Sequence, residues 1–378
     1  MTTASVPRRR STEPAGWLDR VVDERGGMRA VAVLRVLAGM IVIRHLWPDL
    51  MASALPVDRF HVPWWSWLPV PSHSEYRALL YIGVAGGAAM VVGIASRVAC
   101  VVSFAVVSYL LFVDMTGFAH NRAFLVWTLF GLSLLPARRE GYLWPLTLLR
   151  VIVSSVYLTS GLTKLIEPDW RSGVVLWDRV VRYQHHIPVG GSIHDLLTTR
   201  ATYFVVAPSA IAVELFIGIG LWSRRTRLVA VWTALVFHAS IEVAANVQTF
   251  SYMAVAALLI WVTPRTRDRV LIAGPGLGGV VARLDWLHRF RVVPAEPGST
   301  VQLVDRDGTV RHGRDAVLTA SSRLPLLFVV AAPWLVMHRL RQGRRHPGAR
   351  WSRETSNADS GVSASSPGSV ICDLLREQ

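Results

Sequence analysis

The chain has 378 residues, of which 52% are hydrophobic and only 17% are charged. This composition is too apolar for an ordinary soluble protein and indicates a polytopic membrane protein that contacts membrane lipids. The net charge of +15 comes from arginines that lie mostly in short loops between apolar segments, so we predict no nucleic-acid partner. The two cysteines, Cys100 and Cys372, predict neither a disulfide framework nor a zinc site.

Eight apolar segments follow one another as far as residue 264. Several are shorter than the roughly 20 residues that a bilayer requires. We therefore predict an all-α polytopic membrane bundle of about eight transmembrane helices, whose exact ends the sequence does not fix. The segments are 29–47, 77–95, 98–115, 122–136, 143–165, 203–222, 227–246 and 250–264.

The distribution of arginines predicts the orientation of these helices. With the N-terminus in the cytoplasm, the loops that carry Arg97, Arg138 and Arg225 also fall inside, as the positive-inside rule requires. The eighth helix returns the chain to the cytoplasm, so both termini are predicted inside. The loop 166–202 then lies outside, and its stretch WRSGVVLWDRVVRYQ predicts an amphipathic helix along the outer membrane surface.

Residues 266–342 follow a different pattern. The stretch RVLIAGPGLGGVVARLDWLHRFRVVP predicts strand, turn, helix and strand, and VQLVDRDGTV predicts a hairpin with an Asp-Gly turn. The apolar stretch LPLLFVVAAPWLVMHRL is short and contains Pro333, so we assign it to a helix of a small cytoplasmic α/β domain rather than to a ninth span. The predicted domains are a cytoplasmic segment at 1–28, a membrane domain at 29–265, the small domain at 266–342 and a disordered tail at 343–378.

The chain contains 40 lysine and arginine residues in total, and only one of them, Lys164, is a lysine. Near the end of the fifth segment, it could be an interface residue that extends its ammonium towards water. Arginine would serve that purpose equally well, but arginine keeps its proton at physiological pH. A lysine in an apolar site can lose its proton and act as a base, so we favour acid–base chemistry at Lys164.

His238, Glu242 and Asn246 follow one another at intervals of four residues. On a helix this spacing predicts one polar stripe. The stripe either packs against other helices or lines a ligand cavity. The spacing in HASIE does not match a zinc motif, so we predict no metal.

Three further charged residues, Arg35, Arg150 and Glu214, lie in the predicted membrane helices. A charged side chain in the middle of a membrane helix costs about 2.5–3.5 kcal/mol. We favour a structural explanation over a catalytic one and expect each residue to pair with an opposite charge inside the bundle.

Three stretches of the chain resemble the motifs of a known family. They are YLTSGLTKLIEPDW at 157–170, FHASIEVAANVQTFSYMAVA at 237–256 and NRAFLVWTLFGLSLLP at 121–136. The first two, in this order and spacing, resemble motifs of the vitamin K-dependent γ-carboxylases and their bacterial relatives, the HTTM membrane proteins, and the third is a weaker match. The resemblance covers roughly residues 17–265.

This resemblance implies a catalytic role for Lys164. In the carboxylases the matching lysine deprotonates vitamin K hydroquinone, which oxygen converts to an epoxide while a strong base forms and takes a proton from a peptide glutamate. It further implies reduced menaquinone or vitamin K as the cofactor, a small peptide as the substrate and a site that faces outside. His238 and Tyr157 would contact the quinone, with His120 and Asn121 beside them, although the family often has Asn-His where this chain has His120-Asn121.

The C-terminal segment resembles the thioredoxin-like DCC domain. That family opens with a strand, then Asp-Gly-Asp-Cys-x-x-Cys and a helix, and here Gly276 and Gly279 occupy the two cysteine positions in LIAGPGLGGVV. The stretch GPGLGG also matches a dinucleotide-binding pattern, but the region is too small for a doubly wound domain. The resemblance implies a degenerate thioredoxin-like appendage that cannot exchange disulfides.

Three classes of function stay open at this point. The first is a quinol-dependent oxygenase or epoxidase in which Lys164 is the base and a peptide is the acceptor. The second is a non-enzymatic membrane accessory protein for peptide maturation or export. The third, which we favour least, is a proton-coupled transporter that uses Glu214, Glu242 and His238, because no inverted repeat is evident.

Overall fold

The computed structural model describes residues 24–345, except 53, 54, 56–61, 117, 119, 139, 189, 224, 263–266 and 297. Of the tail predicted as disordered at 343–378, residues 343–345 are helical. Residues 346–378 and most of the predicted segment 1–28 lie outside the described residues. Nothing is therefore said of their structure.

Helices form most of the described chain, and every predicted apolar segment contains one. The helices are α1 Arg29–Met51, α2 His73–Val92, α3 Ser96–Phe112, α4 His120–Leu134, α5 Trp144–Ile166, α6 Pro168–Arg171, α7 Val174–Arg182, α8 Ser192–Thr198, α9 Tyr203–Gly220, α10 Arg227–Ala245 and α11 Thr249–Ala257, the last continued by a 3-10 turn at Leu258–Trp261.

Five helices in the described part of the chain are long and apolar enough to cross a membrane, namely α1, α2, α5, α9 and α10. Helices α3, α4 and α11 are apolar but shorter. The protein is thus built as a multi-pass membrane protein, while the predicted number of about eight spans is not confirmed. The physical reason is length, since 13–17 residues of helix rise only about 20–26 Å against a hydrocarbon core of about 30 Å.

The bundle is held together by an apolar core and by close helix contacts. Leu34, Leu80 and Leu149 are fully buried in this core. A Cβ atom on Gly39 would lie 2.5 Å from the carbonyl oxygen of Gly87, so α1 and α2 approach each other closely because both residues lack a side chain. Many apolar side chains face outward as well, which suits a surface in contact with lipid.

The prediction that Arg35 and Arg150 pair with carboxylates is wrong, because both donate to backbone carbonyls instead. Arg35 donates to the carbonyl oxygens at the end of α4, Leu132, Leu135 and Pro136, at 2.6–3.2 Å. Those carbonyls carry the partial negative charge of a helix C-terminus, which satisfies a cation without a second buried charge. Arg150 donates its Nε–H to the carbonyl of Ile260 at 2.9 Å and lies over the ring of Trp261.

The connection between α5 and α9 contains the predicted amphipathic helix, α7. Val180 on this helix is buried against Ile187 and Tyr203, whereas Arg182 and Asp178 form an exposed ion pair at 2.6 Å. The predicted amphipathic character is confirmed. Its position along a membrane surface stays a prediction.

A two-stranded sheet and a small α/β unit complete the fold. Strands β1 Arg25–Gly27 and β2 Glu140–Tyr142 pair antiparallel. The α/β unit contains β3 Arg269–Ala273, α12 Pro275–Leu284, β4 Phe290–Pro294, β5 Gln302–Val304, β6 Val310–His312, α13 Gly313–Ser321 and α14 Phe328–Arg345. These elements confirm the predicted strand–turn–helix–strand and the hairpin.

The sheet of the α/β unit has the order β4-β3-β5-β6, with β3 parallel to β4 and antiparallel to β5. Leu271, Val281 and Leu303 form its buried core with α13. Helix α14 is not among the candidate spans. Its first turn contacts the bundle, where the indole N–H of Trp232 donates to the carbonyl of Val329 at 3.1 Å.

Candidate functional site

Helix α5 presents three polar side chains along one face. Tyr157, Ser160 and Lys164 are spaced i, i+3 and i+7, so they lie above one another on the helix. This face packs against α9, and glycines make the approach close. A Cβ atom on Gly161 would lie 2.9 Å from the side chain of Leu215 and 3.5 Å from the Cβ atom of Glu214.

The close packing brings Lys164 to Glu214. The Nζ atom of Lys164 lies 2.6 Å from Oε1 of Glu214, and the Ser160 hydroxyl lies 3.3 Å from the same oxygen. The side chain of Glu214 is only 3% exposed, and that of Lys164 is 18% exposed. The expectation that Glu214 pairs with an opposite charge is therefore confirmed, and its partner is the one lysine of the chain. The Lys164 ammonium also lies 4.8 Å from the ring centroid of Trp170.

A second polar contact joins α5 to α10. The Tyr157 hydroxyl and Nε2 of His238 lie 2.6 Å apart, and both residues are almost completely buried. The ring of Phe250 packs against His238 with centroids 5.5 Å apart. Within the described residues, Nδ1 of His238 has no hydrogen-bond partner, and neither has Oε2 of Glu214. Oε2 of Glu214 can therefore accept a hydrogen bond from a bound molecule, and Nδ1 of His238 can accept or donate one according to its tautomer.

The residues of the predicted polar stripe on α10 have two different roles. His238 and Glu242 line a cavity. Glu242 accepts hydrogen bonds from the backbone N–H of Gln248 at 2.8 Å and the hydroxyl of Tyr252 at 3.0 Å. Asn246 instead ends α10 with a left-handed backbone of φ 47°, and its N–H donates to the carbonyl of Glu242. Asparagine tolerates this conformation, which explains its place in the sequence.

The cavity beside α10 has a volume of about 1680 Å³. Apolar side chains of α1, α10 and α11 form much of its wall, including Leu37, Leu235 and Val255. Lys164 does not line it, and the hydrogen bond from Tyr157 to His238 connects the helix of Lys164 to the cavity. A long apolar molecule with a polar head group suits such a lining.

The structure brings Tyr157, Lys164 and His238 together but not the other two predicted site residues. His120 is exposed at the first residue of α4, and its ring packs against that of Phe118. Asn121 is the second residue of α4, and its side chain is outside the described part of the chain. No contact among the described residues joins His120 to the ion pair.

The sequence interpretation missed the partnership of Lys164 with Glu214, because it weighed the two residues separately. A signal was present, since a lone lysine and a lone carboxylate in apolar helices each require a partner. It also missed Ser160 and Trp170 as neighbours of the ammonium. Within the described residues, no group of three or more His, Cys, Asp or Glu side chains could hold a metal ion.

The fold and this site define a multi-pass helical membrane protein with a buried polar cluster where α5, α9 and α10 meet. Residues 27–265 match the HTTM domain. This match spans well over half of the chain, and the chain belongs to the HTTM family. Neither the curated proteins nor the solved structures contain a match.

Proposed function

We propose that this protein is a quinol-dependent membrane enzyme in which Lys164 and Glu214 act together as the base. The observation that carries the proposal is their 2.6 Å ion pair inside the bundle. The resemblance of the surrounding motif to the carboxylases supports it. The identity of residue 164 also supports the proposal, because the chain has 40 lysine and arginine residues and Lys164 is the only lysine among them.

The ion pair changes how the base would work. A protonated lysine cannot accept a proton, and a carboxylate at 2.6 Å favours the protonated form. Glu214 is almost completely buried, however, so its carboxylate loses hydration, and a neutral amine beside a protonated carboxyl competes with the ion pair. After the proton moves from Nζ to Oε1, the amine of Lys164 accepts one from a quinol hydroxyl that would have to extend beyond His238 to reach it, because Lys164 does not line the cavity. The pair then holds one extra proton in total, which is the requirement for a base.

The apolar wall and the polar His238 make the cavity chemically suited to a reduced menaquinone or vitamin K. Such a molecule supplies a hydroxyl group that, once deprotonated, reacts with oxygen. His238 would bind a quinone oxygen through Nδ1, since Tyr157 already occupies Nε2. The apolar wall would hold the isoprenoid tail and keep water out. A small peptide would be the acceptor, reached from the outer side that the arginine distribution predicts.

The test is quinone epoxide formation by the purified protein in lipid nanodiscs, with reduced menaquinone and oxygen supplied and the product measured by mass spectrometry. Lys164→Arg keeps the charge but cannot release the proton, so we expect at least a hundred-fold loss. Glu214→Gln should lose a similar factor. Arg283→Lys, on an exposed face of α12, is the matched control and should keep full activity. A folded wild-type protein that forms no epoxide, even with added peptides, would contradict the proposal and favour the non-enzymatic accessory role.

We also propose that the α/β unit is the degenerate thioredoxin-like appendage. Its support is the sheet order β4-β3-β5-β6, with a helix between its two parallel strands and another after the last strand. Gly276 and Gly279 lie in the first turns of α12, where the resemblance expects cysteines. We propose in addition that both termini lie in the cytoplasm and that the Lys164 site faces outside. The positive-inside pattern of the arginines supports this orientation.

A further inference from the structure

The cavity beside α10 has a second, basic end, which the proposed function does not use. Helix α10 spans both ends, because Arg227 and His238 are 11 residues apart, or about 16 Å along the helix. Six arginines line the cavity, contributed by β1, α5, α10 and the α/β unit. They are Arg25, Arg150, Arg227, Arg289, Arg306 and Arg323.

The cavity wall contains fewer carboxylates than arginines. The two lining carboxylates are Glu24 and Glu242, and Glu242 already accepts two hydrogen bonds near the opposite end. Arg306 pairs with Asp268 through its Nε atom. Its Nη2 atom has no hydrogen-bond partner within the described residues. A concentration of positive charge is therefore left at this end.

Arg289 shows this excess charge most clearly. Its Nε–H is buried and has no partner in the part of the chain that the structure describes. Its Nη1 reaches the carbonyl oxygen of Arg323 only at 3.5 Å. Burial, followed by the charges of Arg269, Arg323 and Arg306, lowers the pKa of Arg289 to about 9. The carboxylate of Asp285 opposes this shift but does not line the cavity, so a cation of this kind favours an anion bound inside the cavity.

The wall next to the arginines is apolar and belongs to helices of the bundle. Val33 and Met40 of α1 and Val236 of α10 contribute to it. A small inorganic anion would leave this wall without a ligand. A molecule with an anionic head group and long apolar chains would satisfy both parts at once.

We propose that the basic end of the cavity is a binding site for an anionic phospholipid, with the phosphate at Arg289 and the neighbouring arginines and the acyl chains along α1 and α10. The bound lipid joins the α/β unit to the bundle, because Arg289, Arg306 and Arg323 belong to the one and Arg150 and Arg227 to the other. Lys164 does not line this cavity, so the proposed lipid site does not depend on Lys164, although the acyl chains would share the apolar wall of α1 and α10 with the isoprenoid tail of the proposed quinol.

Delipidated full-length protein tests the proposal by native mass spectrometry. The probes are phosphatidylglycerol, phosphatidylcholine with the same acyl chains, and inorganic phosphate. We expect phosphatidylglycerol to bind at least ten-fold more tightly than phosphatidylcholine. Arg289→Gln should remove most of that preference. Arg25→Gln, at an exposed position that leaves the core intact, should weaken phosphatidylglycerol binding about five-fold.

Arg283→Gln makes the same charge change on an exposed face of α12 outside the cavity, and should leave lipid binding unchanged. Equal binding of the two lipids, or no effect of either cavity variant, would overturn the proposal. If inorganic phosphate displaced phosphatidylglycerol at equal concentration, the apolar wall would contribute nothing, and the site would be one for free phosphate. Lys164→Arg should retain the lipid, which separates this result from the test of the proposed function.

Discussion

The ammonium of Lys164 and the carboxylate of Glu214 meet at 2.6 Å across the contact between α5 and α9, with Glu214 almost completely buried. The pair explains why both charges are tolerated in apolar helices. Each neutralises the other, and Ser160 adds a hydroxyl at 3.3 Å. Arginine at position 164 would keep the charge but could not transfer a proton to the carboxylate.

The two residues of the pair should differ in their effect on stability. Lys164→Met leaves Glu214 buried without its cation and should lower the free energy of unfolding by about 3–5 kcal/mol. Glu214→Gln should cost only about 1 kcal/mol, because the partly exposed lysine can extend to water. Unfolding titrations in detergent measure both values. The double variant Lys164→Met/Glu214→Leu should recover most of the loss, and its failure to do so would contradict the charge explanation.

The hydrogen bond between Tyr157 and His238 can be tested alone. Tyr157→Phe leaves Nε2 of His238 buried without a partner and should lower the free energy of unfolding by about 1–3 kcal/mol. Tyr81→Phe is the control, because Tyr81 is 58% exposed and should change stability by less than about 0.5 kcal/mol. Equal effects of the two substitutions in thermal unfolding would argue against a structural hydrogen bond at His238.

Two glycines should respond to alanine in opposite directions. In Gly39→Ala the new methyl group would meet the carbonyl oxygen of Gly87, and separating α1 from α2 should cost about 1–3 kcal/mol. An added Cβ atom at Gly276 meets nothing within 4 Å, so Gly276→Ala should stabilise α12 by about 0.5–1 kcal/mol. Melting temperatures in one detergent compare them directly, and a shift of the same sign in both variants would contradict the packing described.

Restoring two cysteines tests the thioredoxin-like assignment. Gly276→Cys with Gly279→Cys places two thiols one turn apart at the start of α12, where an added Cβ atom is unobstructed. A thiol near a helix N-terminus ionises readily, so we expect a reversible disulfide, measured by thiol trapping across a series of redox buffers. The background is Cys100→Ser/Cys372→Ser. Thiols that stay reduced in every buffer would count against the assignment.

Arg289 should carry a stability cost in the lipid-free protein. Its pKa of about 9 lies below its usual 12.5, so folding penalises the charged form, fully at neutral pH and less as the pH rises past 9. Arg289→Met should therefore raise the melting temperature of delipidated protein at pH 7, by an amount that shrinks at pH 10. A lower melting temperature at pH 7 would show that the guanidinium stabilises the fold. Arg283→Met, at an exposed position, is the control.

The sequence by itself determined the membrane class and the positions of the helices, and it identified Lys164 as a candidate base. Apolar composition and segment length depend only on local residues, so they can be read along the chain. The strand–turn–helix–strand and the hairpin of the α/β unit were predictable for the same reason. The number of complete spans was not, because helix ends depend on caps and on neighbouring helices, as the short α4 and α11 show.

Only the tertiary structure decided which polar groups meet. Lys164 and Glu214 are 50 residues apart, and their contact depends on the packing of α5 against α9 at Gly161. The sequence allows Arg35 to pair either with a carboxylate or with the carbonyl oxygens at a helix end. In the structure Arg35 donates to carbonyl oxygens at the end of α4. The arginines of the basic cavity come from distant parts of the chain in the same way. Partners in a helical bundle are set by side-chain contacts across helix interfaces, which the spacing along one helix does not encode.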